Sequence, residues 1–413
     1  MPHRSAVVAA VLCAAALFST APADAQGFHR AAPVEPPPAP QAILAEPDTA
    51  IRLDPLYDSY LAWKERLQTG YGLEYYVQAS LLPQWGAPKG GPAVFDFIWT
   101  PTIIWKPFTD TLIGSGSFTF SAQQNQFWTR ANTSSQQARA GLLTPPSDWF
   151  TDAIDYAQLT YTHTLPGAWH WLSATVGQYS FGTWDANQYA GNAQTNFVNY
   201  ALAQNGTQNY VSGDLGAYAE ASAPARDLVF AGGFQGATNF AGSTITTRSF
   251  AERKFAFFLA ARWSPNLLAG SSYGLLWDAQ PAIPRSGVAS SRGLSFNAVQ
   301  NLSAQWGLFL RANTATGTST EIAISLAWGA VRNDPFRHDP LDQVGLGIAW
   351  NKINHAAVAA PARNAEWVAE AYYNYTVFKG LQIAPDLQFY FDRALGTTAG
   401  PEAILTLRAT ATF

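Results

Sequence analysis

The chain has 413 residues, a net charge of −4 and one cysteine, Cys13. The acidic balance argues against a nucleic-acid partner, and the lone cysteine excludes a disulfide scaffold or a cysteine metal site. Hydrophobic residues reach 48%, yet mean hydropathy is −0.06, and no segment beyond the amino terminus approaches the roughly 18 unbroken apolar residues of a membrane helix. A wall one residue thick, apolar outside and polar inside, averages to such a value. The 15 Trp, 17 Tyr and 25 Phe suit the aromatic belts of such a wall.

Arg4 precedes an apolar run from Ala6 to Phe18, and Ala23-Asp24-Ala25 supplies small residues at −3 and −1. Residues 1–25 therefore read as a secretory signal, and the processed chain is expected to begin at Gln26. Residues 26–50, with Pro36-Pro37-Pro38 and Pro40, read as a Pro/Ala-rich periplasmic linker without a core. Within 51–70, Asp54-Pro55 is an N-cap and first-turn pair. The spacing of Leu56, Tyr60, Trp63 and Leu67 predicts a short periplasmic helix to about Gln68, either packed at a barrel mouth or serving as a connector.

From Tyr71 the period changes to two. The clearest case is the end, where Leu405, Leu407, Ala409, Ala411 and Phe413 alternate with Thr406, Arg408, Thr410 and Thr412, the pattern of a half-buried strand. Similar stretches occupy 71–82, 91–106, 111–122, 154–165, 168–182, 214–222, 226–238, 249–263, 266–279, 293–305, 306–317, 319–331, 341–353, 365–378 and 380–392. With the last, about 16 strands of near ~10 residues make an all-β, transmembrane antiparallel barrel over 71–413.

The connections alternate as barrels require, short periplasmic turns with longer external loops. Pro166-Gly167, Ala223-Pro224-Ala225, Ser264-Pro265, Gln305-Trp306 and Lys379-Gly380 are short; 123–153, 183–213, 239–248, 280–292, 354–364 and 393–401 are long. One pair departs from the order, a tight turn near Thr318 and a longer one at 332–340. Both termini are thereby placed in the periplasm. Pro92, Pro101 and Pro385 fall inside predicted strands, where a missing donor suits bulges or strand beginnings. Phe413 closing the last strand marks a protein handed to the barrel-assembly machinery in the outer membrane, whose lipids it would contact.

Alternation also gives each side chain a face. Tyr75, Val77, Phe257, Leu259, Leu308, Leu310, Ile322, Ile324, Leu387 and Phe389 are expected to face lipid. Glu74, Gln78, Lys254, Arg262, Arg311, Asn313, Glu321, Glu370, Asn374, Asp386, Gln388, Tyr390, Asp392 and Arg408 would then face the lumen. From this set Arg262, Arg311, Arg408, Glu370, Asp386, Gln388, Tyr390 and Asp392 are candidate pore-lining or sugar-binding residues: arginines as donors, carboxylates as acceptors, Tyr390 as a flat edge. The bland alternative is that these charges only solvate the lumen and pair with one another. So wide a barrel leaves an aqueous channel unless loops block it. The loops after Ala122 and Gly182 are long enough to fold inward, and Trp128, Trp184, Tyr189 and Phe197 are candidate flat faces for a sugar ring.

Catalytic signatures are missing. His163 and His170 flank the Pro166-Gly167 turn without a nucleophile motif, and no GxSxG, HExxH or phosphate loop occurs. No enzyme activity, metal or cofactor is expected.

Three segments resemble the carbohydrate-selective porins, the OprB-type family. They are GQYSFGTWDANQYAGNAQTNFVNYALAQN at 177–205, VGLGIAWN at 344–351 after the acidic turn Asp339–Asp342, and 369–413 with LQIAPDLQFYFD and the closing AILTLRATATF. The resemblance covers roughly the last 240 residues, and more faintly the whole barrel. It implies a 16-stranded barrel passing glucose and related neutral sugars through a charged constriction containing arginines, for which Arg262, Arg311 and Arg408 qualify by facing direction. Two other readings stay open: a general or anion-preferring porin without a sugar site, and an export or adhesion barrel binding a polysaccharide.

Overall fold

A computed structural model describes residues 54–223, 227–239, 244–358, 361–396 and 400–413, the side chain of Tyr156 apart. The signal, the linker, Arg226 and most of the Ala223-Pro224-Ala225 turn lie outside the described residues. The first described element is helix α1, Asp54–Tyr71. The strands follow: β1 Leu73–Ala87, β2 Val94–Thr111, β3 Gly114–Phe127, β4 Ala153–Thr164, β5 Leu172–Tyr179, β6 Asp214–Ala223, β7 Leu228–Gly236 and β8 Phe255–Trp263. The second half holds β9 Ser271–Gln280, β10 Ser291–Asn301, β11 Trp306–Ala315, β12 Ile322–Asn333, β13 Gln343–Ile353, β14 Ala365–Phe378, β15 Leu381–Tyr390 and β16 Glu402–Thr412. Each strand pairs antiparallel with its chain neighbours, and β1 pairs with β16, closing a barrel of 16 strands.

Every predicted strand corresponds to one of these. The connections sort by rim. One rim carries 128–152, 180–213 and 237–254; the other carries tight links such as Lys379-Gly380. Even the anomalous pair obeys the count, since 316–321 sits on the long-connection rim and 334–342 on the other.

The prolines behave differently from expectation. Pro92 lies before β2, whereas Pro83, Pro101 and Pro385 sit inside strands without a register shift. Each keeps one partner, Phe95, Val77 and Leu407 respectively. On its other side each ladder lapses for two residues: between Leu81–Ala409 and Gln84–Thr406, between Trp99–Gln124 and Thr102–Ser121, and between Tyr372–Asp386 and Tyr375–Ile383. A proline has no N–H to give there.

The predicted facing holds along most strands. Phe257, Leu259, Leu308, Leu310, Leu387 and Phe389 are exposed on the outer wall, while Arg311, Asn313, Glu370, Asn374, Asp386, Gln388, Tyr390 and Arg408 are buried inside. Ile322 is a correction. A bulge between Ile322 and Ile324 turns it inward, where it packs with Leu143, Ile353 and Ala394. Glu321 precedes the strand and is exposed. Asp392 is a second correction. β15 ends at Tyr390, so Asp392 stands exposed in the 391–401 connection, and its neighbour Arg393 is the residue buried there.

α1 runs along the short-connection rim. Its packed side agrees in part with the one expected: Tyr60 meets the barrel and Trp63 lies edge-on to Tyr75 at 6.1 Å, joined by Tyr57 and Lys64, while Leu56 is largely exposed. Tyr57 donates to the Thr412 carbonyl at 2.8 Å, and the Lys379 amine pairs with Asp58 at 3.1 Å. Gly72 turns the chain from α1 into β1 at φ +65°, where any Cβ would lie 2.1 Å from the Lys106 carbonyl oxygen.

At the seam, Phe413 exchanges two backbone hydrogen bonds of 2.9 Å with Val77. Deleting Phe413 removes both, and Phe413→Ala keeps them but loses the ring. Both variants are expected to reach the periplasm and to give less heat-modifiable folded protein in the outer membrane, the deletion more severely. Normal folded levels of both would refute the role of this residue in closing the barrel.

Candidate functional site: a half-filled lumen

Two long connections leave the rim and descend into the lumen. The first, 128–152, contains helix α2, Thr133–Ala140; the second, 180–213, contains the short helix α3, Tyr200–Ala203. Both are largely buried. Their apolar side chains (Leu142, Tyr189, Phe197, Leu202) pack against Val299, Phe309, Ala327, Val368 and Tyr372 of the inner wall from β10 to β14. Phe197 meets Phe309 and Tyr372 at 5.1 and 4.9 Å between ring centres. The wall is cut back to receive it: a Cβ on Gly347 would stand 2.9 Å from both Phe197 and Leu202.

Burying a chain segment obliges its backbone groups to find partners, and the inner wall supplies them. Glu370 accepts the Val198 and Asn199 N–H groups. Four residues earlier on the same face, Glu366 accepts N–H from Leu143, Thr144 and Ala394 at 2.7, 2.8 and 3.2 Å. Arg408 donates to the carbonyls of Ala193 and Asn196 at 2.8 and 2.6 Å, and to Asn374 at 2.7 Å. Asn199 caps α3 and donates to Tyr390 at 2.6 Å and Gln388 at 3.1 Å. Gln388 in turn donates to the Pro146 carbonyl at 2.7 Å.

A second anchor lies at the beginning of the descending segment. Asp185 accepts from Ser295, Asn297 and, at 2.7 Å, Asn205, while Arg311 donates to its carbonyl at 3.3 Å. Full burial pushes the Asp185 carboxyl up from its ordinary range, and Arg311 with the Ser295, Asn205 and Asn297 donors pulls it back. On the far edge Asn192 and Gln194 donate to Gln78 and Ser80, each at 3.0 Å.

The sequence-predicted site residues therefore divide. Arg311, Arg408, Glu370, Asp386, Gln388 and Tyr390 point inward as expected, but all are buried beneath the inserted segments. Asp386 lies diagonally across the β15–β16 pair from Arg408. The aromatic candidates offer no free face either. Phe197 and Tyr189 are in the packed cluster, and Trp184 is buried beside Arg262, whose guanidinium lies 5.5 Å above its ring. Trp128 is outside the barrel, stacked on Phe95 and Phe97.

The rest of the lumen follows the opposite wall, where Ser117, Thr162, Thr164 and Glu220 stay half-buried and Thr175 between them is covered. Two rows cross it: Ser117–Thr162–Thr175–Tyr218 and Ser115–Thr164–Ser173–Glu220. Thr162 and Thr175 share a hydrogen bond of 2.8 Å. Arg262 alone of the candidates belongs here, half-buried, donating to the Thr183 carbonyl at 3.3 Å and within electrostatic reach of Glu220. Alternation had the means to find Glu366, which shares the face of Glu370. Asp185 and Asn199 lie in a loop, where no periodicity points to them.

A closed barrel of 16 strands narrowed by its own inward connections is the architecture of an outer-membrane diffusion channel. The comparisons agree. The family model for the carbohydrate-selective porins, OprB family, matches residues 86–413, well beyond the segments that carry the resemblance in sequence, and the chain belongs to that family. It is 29% identical over 342 residues to the porin AaxA of Chlamydia pneumoniae, spanning 80% of this chain and 77% of that one. The AaxA porin of Chlamydia trachomatis serovar D is 28% identical over 368 residues, 84% and 79% of the two chains. In fold it matches the high-pH structure of Pseudomonas putida OprB with a TM-score of 0.70 at 15% identity, covering 86% of this chain and 97% of that one. Family and fold are those of a channel rather than an enzyme.

Removing one partner from a buried charged network costs about 3–5 kcal/mol. Arg408→Ala and Glu370→Gln are thus expected to loosen the 180–213 segment while the barrel still folds, raising single-channel conductance and its noise in planar bilayers. Unchanged conductance in both would mean that these residues do not hold the constriction.

Proposed function

We propose that the chain carries small neutral sugars, glucose among them, by passive diffusion along the half-open wall of the lumen. The observation behind this reading is the pair of hydroxyl rows on β3 to β5, ending at Tyr218 and Glu220, with Arg262 as the facing cation. A neutral polyol gains little from net charge and much from closely spaced donors and acceptors. Each neutral hydrogen bond contributes about 1 kcal/mol net. A few of them give millimolar binding, near −4 kcal/mol, weak enough for the solute to leave again. The buried anchors Arg311, Arg408, Glu370, Gln388 and Tyr390 act on this path by holding the segment that narrows it, and Asp386 lies behind them on the wall.

In planar bilayers the protein is expected to conduct ions, and millimolar glucose to reduce the current. Ser117→Ala with Thr162→Val should weaken that block about fivefold, one neutral hydrogen bond's worth. Arg262→Ala should weaken it too and raise ion conductance. If no mono- or disaccharide alters the current while small ions pass freely, the chain is a general porin.

The same reading puts the short-connection rim, and with it both termini, in the periplasm. It rests on the sorting of connections and on the position of Phe413. An impermeant maleimide should then label Lys379→Cys only after the outer membrane is permeabilised; labelling of intact cells would reverse the orientation.

A further inference from the structure

A carboxylate taken out of water is tolerated where a cation or several donors meet it. Asp96, near the start of β2 on the long-connection rim, meets neither among the described residues. It points inward at 1% exposure, and neither of its carboxylate oxygens has a hydrogen-bond partner. The Phe97 and Gln126 amides approach it without reaching hydrogen-bond geometry. Among the described residues, the charged group within its electrostatic reach is a second carboxylate, Asp152.

Asp152 ends the first inserted connection. One of its oxygens accepts the Phe127 N–H at 2.6 Å, and Phe127 is the Cα partner of Asp96 across β2 and β3. Asp152 is itself exposed, so the pair joins a buried carboxylate to one in water. The beginning of the same connection covers the site. Trp128 and Thr129 bond to the Phe95 backbone, and the Arg139 guanidinium lies where a Cβ on Gly91 would be 2.6 Å away. α2 therefore spans the start of β2, and its buried side carries Thr133 and Gln136. The Thr133 hydroxyl and both ends of the Gln136 amide, at 0% and 1% exposure, are without hydrogen-bond partners. The Ser134, Ser135 and Gln136 N–H groups bond to Phe150 and Asn132, not to Asp96.

We propose that a calcium ion is bound here, between Asp96 and the second oxygen of Asp152, with Thr133 and Gln136 as neutral oxygen donors. Calcium takes roughly six to eight oxygen ligands and tolerates irregular, loop-built sites. Two carboxylates balance its charge, and exposed Asp152 gives it a way in from water. A proton on Asp96 would also remove the buried charge, but it would leave Thr133 and Gln136 unanswered. The ion would tie both ends of the 128–152 connection to β2, a clasp separate from the anchors of the 180–213 segment.

Terbium is a luminescent probe of calcium sites. Trp149 packs on Leu82, the Cα partner of Asp96, and on Ile98, and is placed to sensitise it. The purified protein in detergent is expected to give tryptophan-excited terbium emission that calcium displaces. Asp96→Asn should weaken terbium binding by at least about tenfold, a loss that even an outer-shell partner can cause. Asp152→Asn should weaken it as well, both variants keeping their heat-modifiable mobility. Chelation by EGTA should lower the Tm of the wild type and leave that of Asp96→Asn unmoved. If Asp96→Asn does not fold, the exposed Asp152→Asn makes the comparison alone. Equal terbium affinity in the wild type and the variants would place the ion elsewhere and overturn the proposal. Absent emission, with a wild-type Tm that neither calcium nor EGTA moves, would overturn it too and assign a proton to Asp96.

Discussion

A strand in hydrocarbon has nothing to hydrogen-bond with except another strand, and that requirement governs the rest of this molecule. It is met by the pairing of β1 with β16, eight Cα partners from Gln78–Thr412 to Ala87–Ala403, which leaves the sheet without an edge. Closure with 16 strands in turn sets a lumen too wide for inward side chains to fill. Segments 128–152 and 180–213 narrow that lumen, and their contacts with the inner wall follow from the same rule applied a second time, to backbone that has been taken out of water.

The two halves of the inner wall meet this situation with different chemistry. From β10 round to β1 the lumen is filled, and charged or amide side chains lie where a buried N–H or carbonyl needs a partner: Glu366 and Glu370 under loop amides, Arg408 under loop carbonyls. From β3 to β6 it is less filled, and the two rows that cross it there carry hydroxyls, a tyrosine and one carboxylate. Buried charge therefore serves architecture, and the surface left to a solute is nearly neutral. A carboxylate aimed inward is commonly read as an attractor for solute. Here the strongest acceptors are already occupied by the protein's own backbone.

Much of the architecture was legible because a strand facing lipid on one side and a lumen on the other writes its environment as an alternation. Arg311, Glu370 and Arg408 are assigned to the inner face by parity alone, and so is Tyr390. Parity fails where a strand adds a residue or stops: Ile322 precedes a bulge, and Asp392 lies beyond the end of β15. Alternation also cannot tell a side chain that faces water from one that faces an inserted loop. That choice rests on contacts between residues far apart in the chain, such as Asn199 with Tyr390, which leave no local pattern. The aromatic loop residues were misjudged for a related reason, since a ring such as Phe197 serves equally well to stack on a solute or to fill a notch over Gly347.

The inserted segment between β5 and β6 belongs to the first half of the chain, yet much of the surface that receives its middle is built by β10 to β16. Its seat does not exist until the last strands are in place. Those contacts span about two hundred residues, and the pairing of β1 with β16 that closes the wall spans more, so both carry a loop-closure cost. The narrowing is nevertheless held by other bonds than the wall, side chains on loop backbone in place of the strand ladder. Sequence changes in the inserted segments therefore bear first on the width of the passage and only second on the ladder that closes the wall.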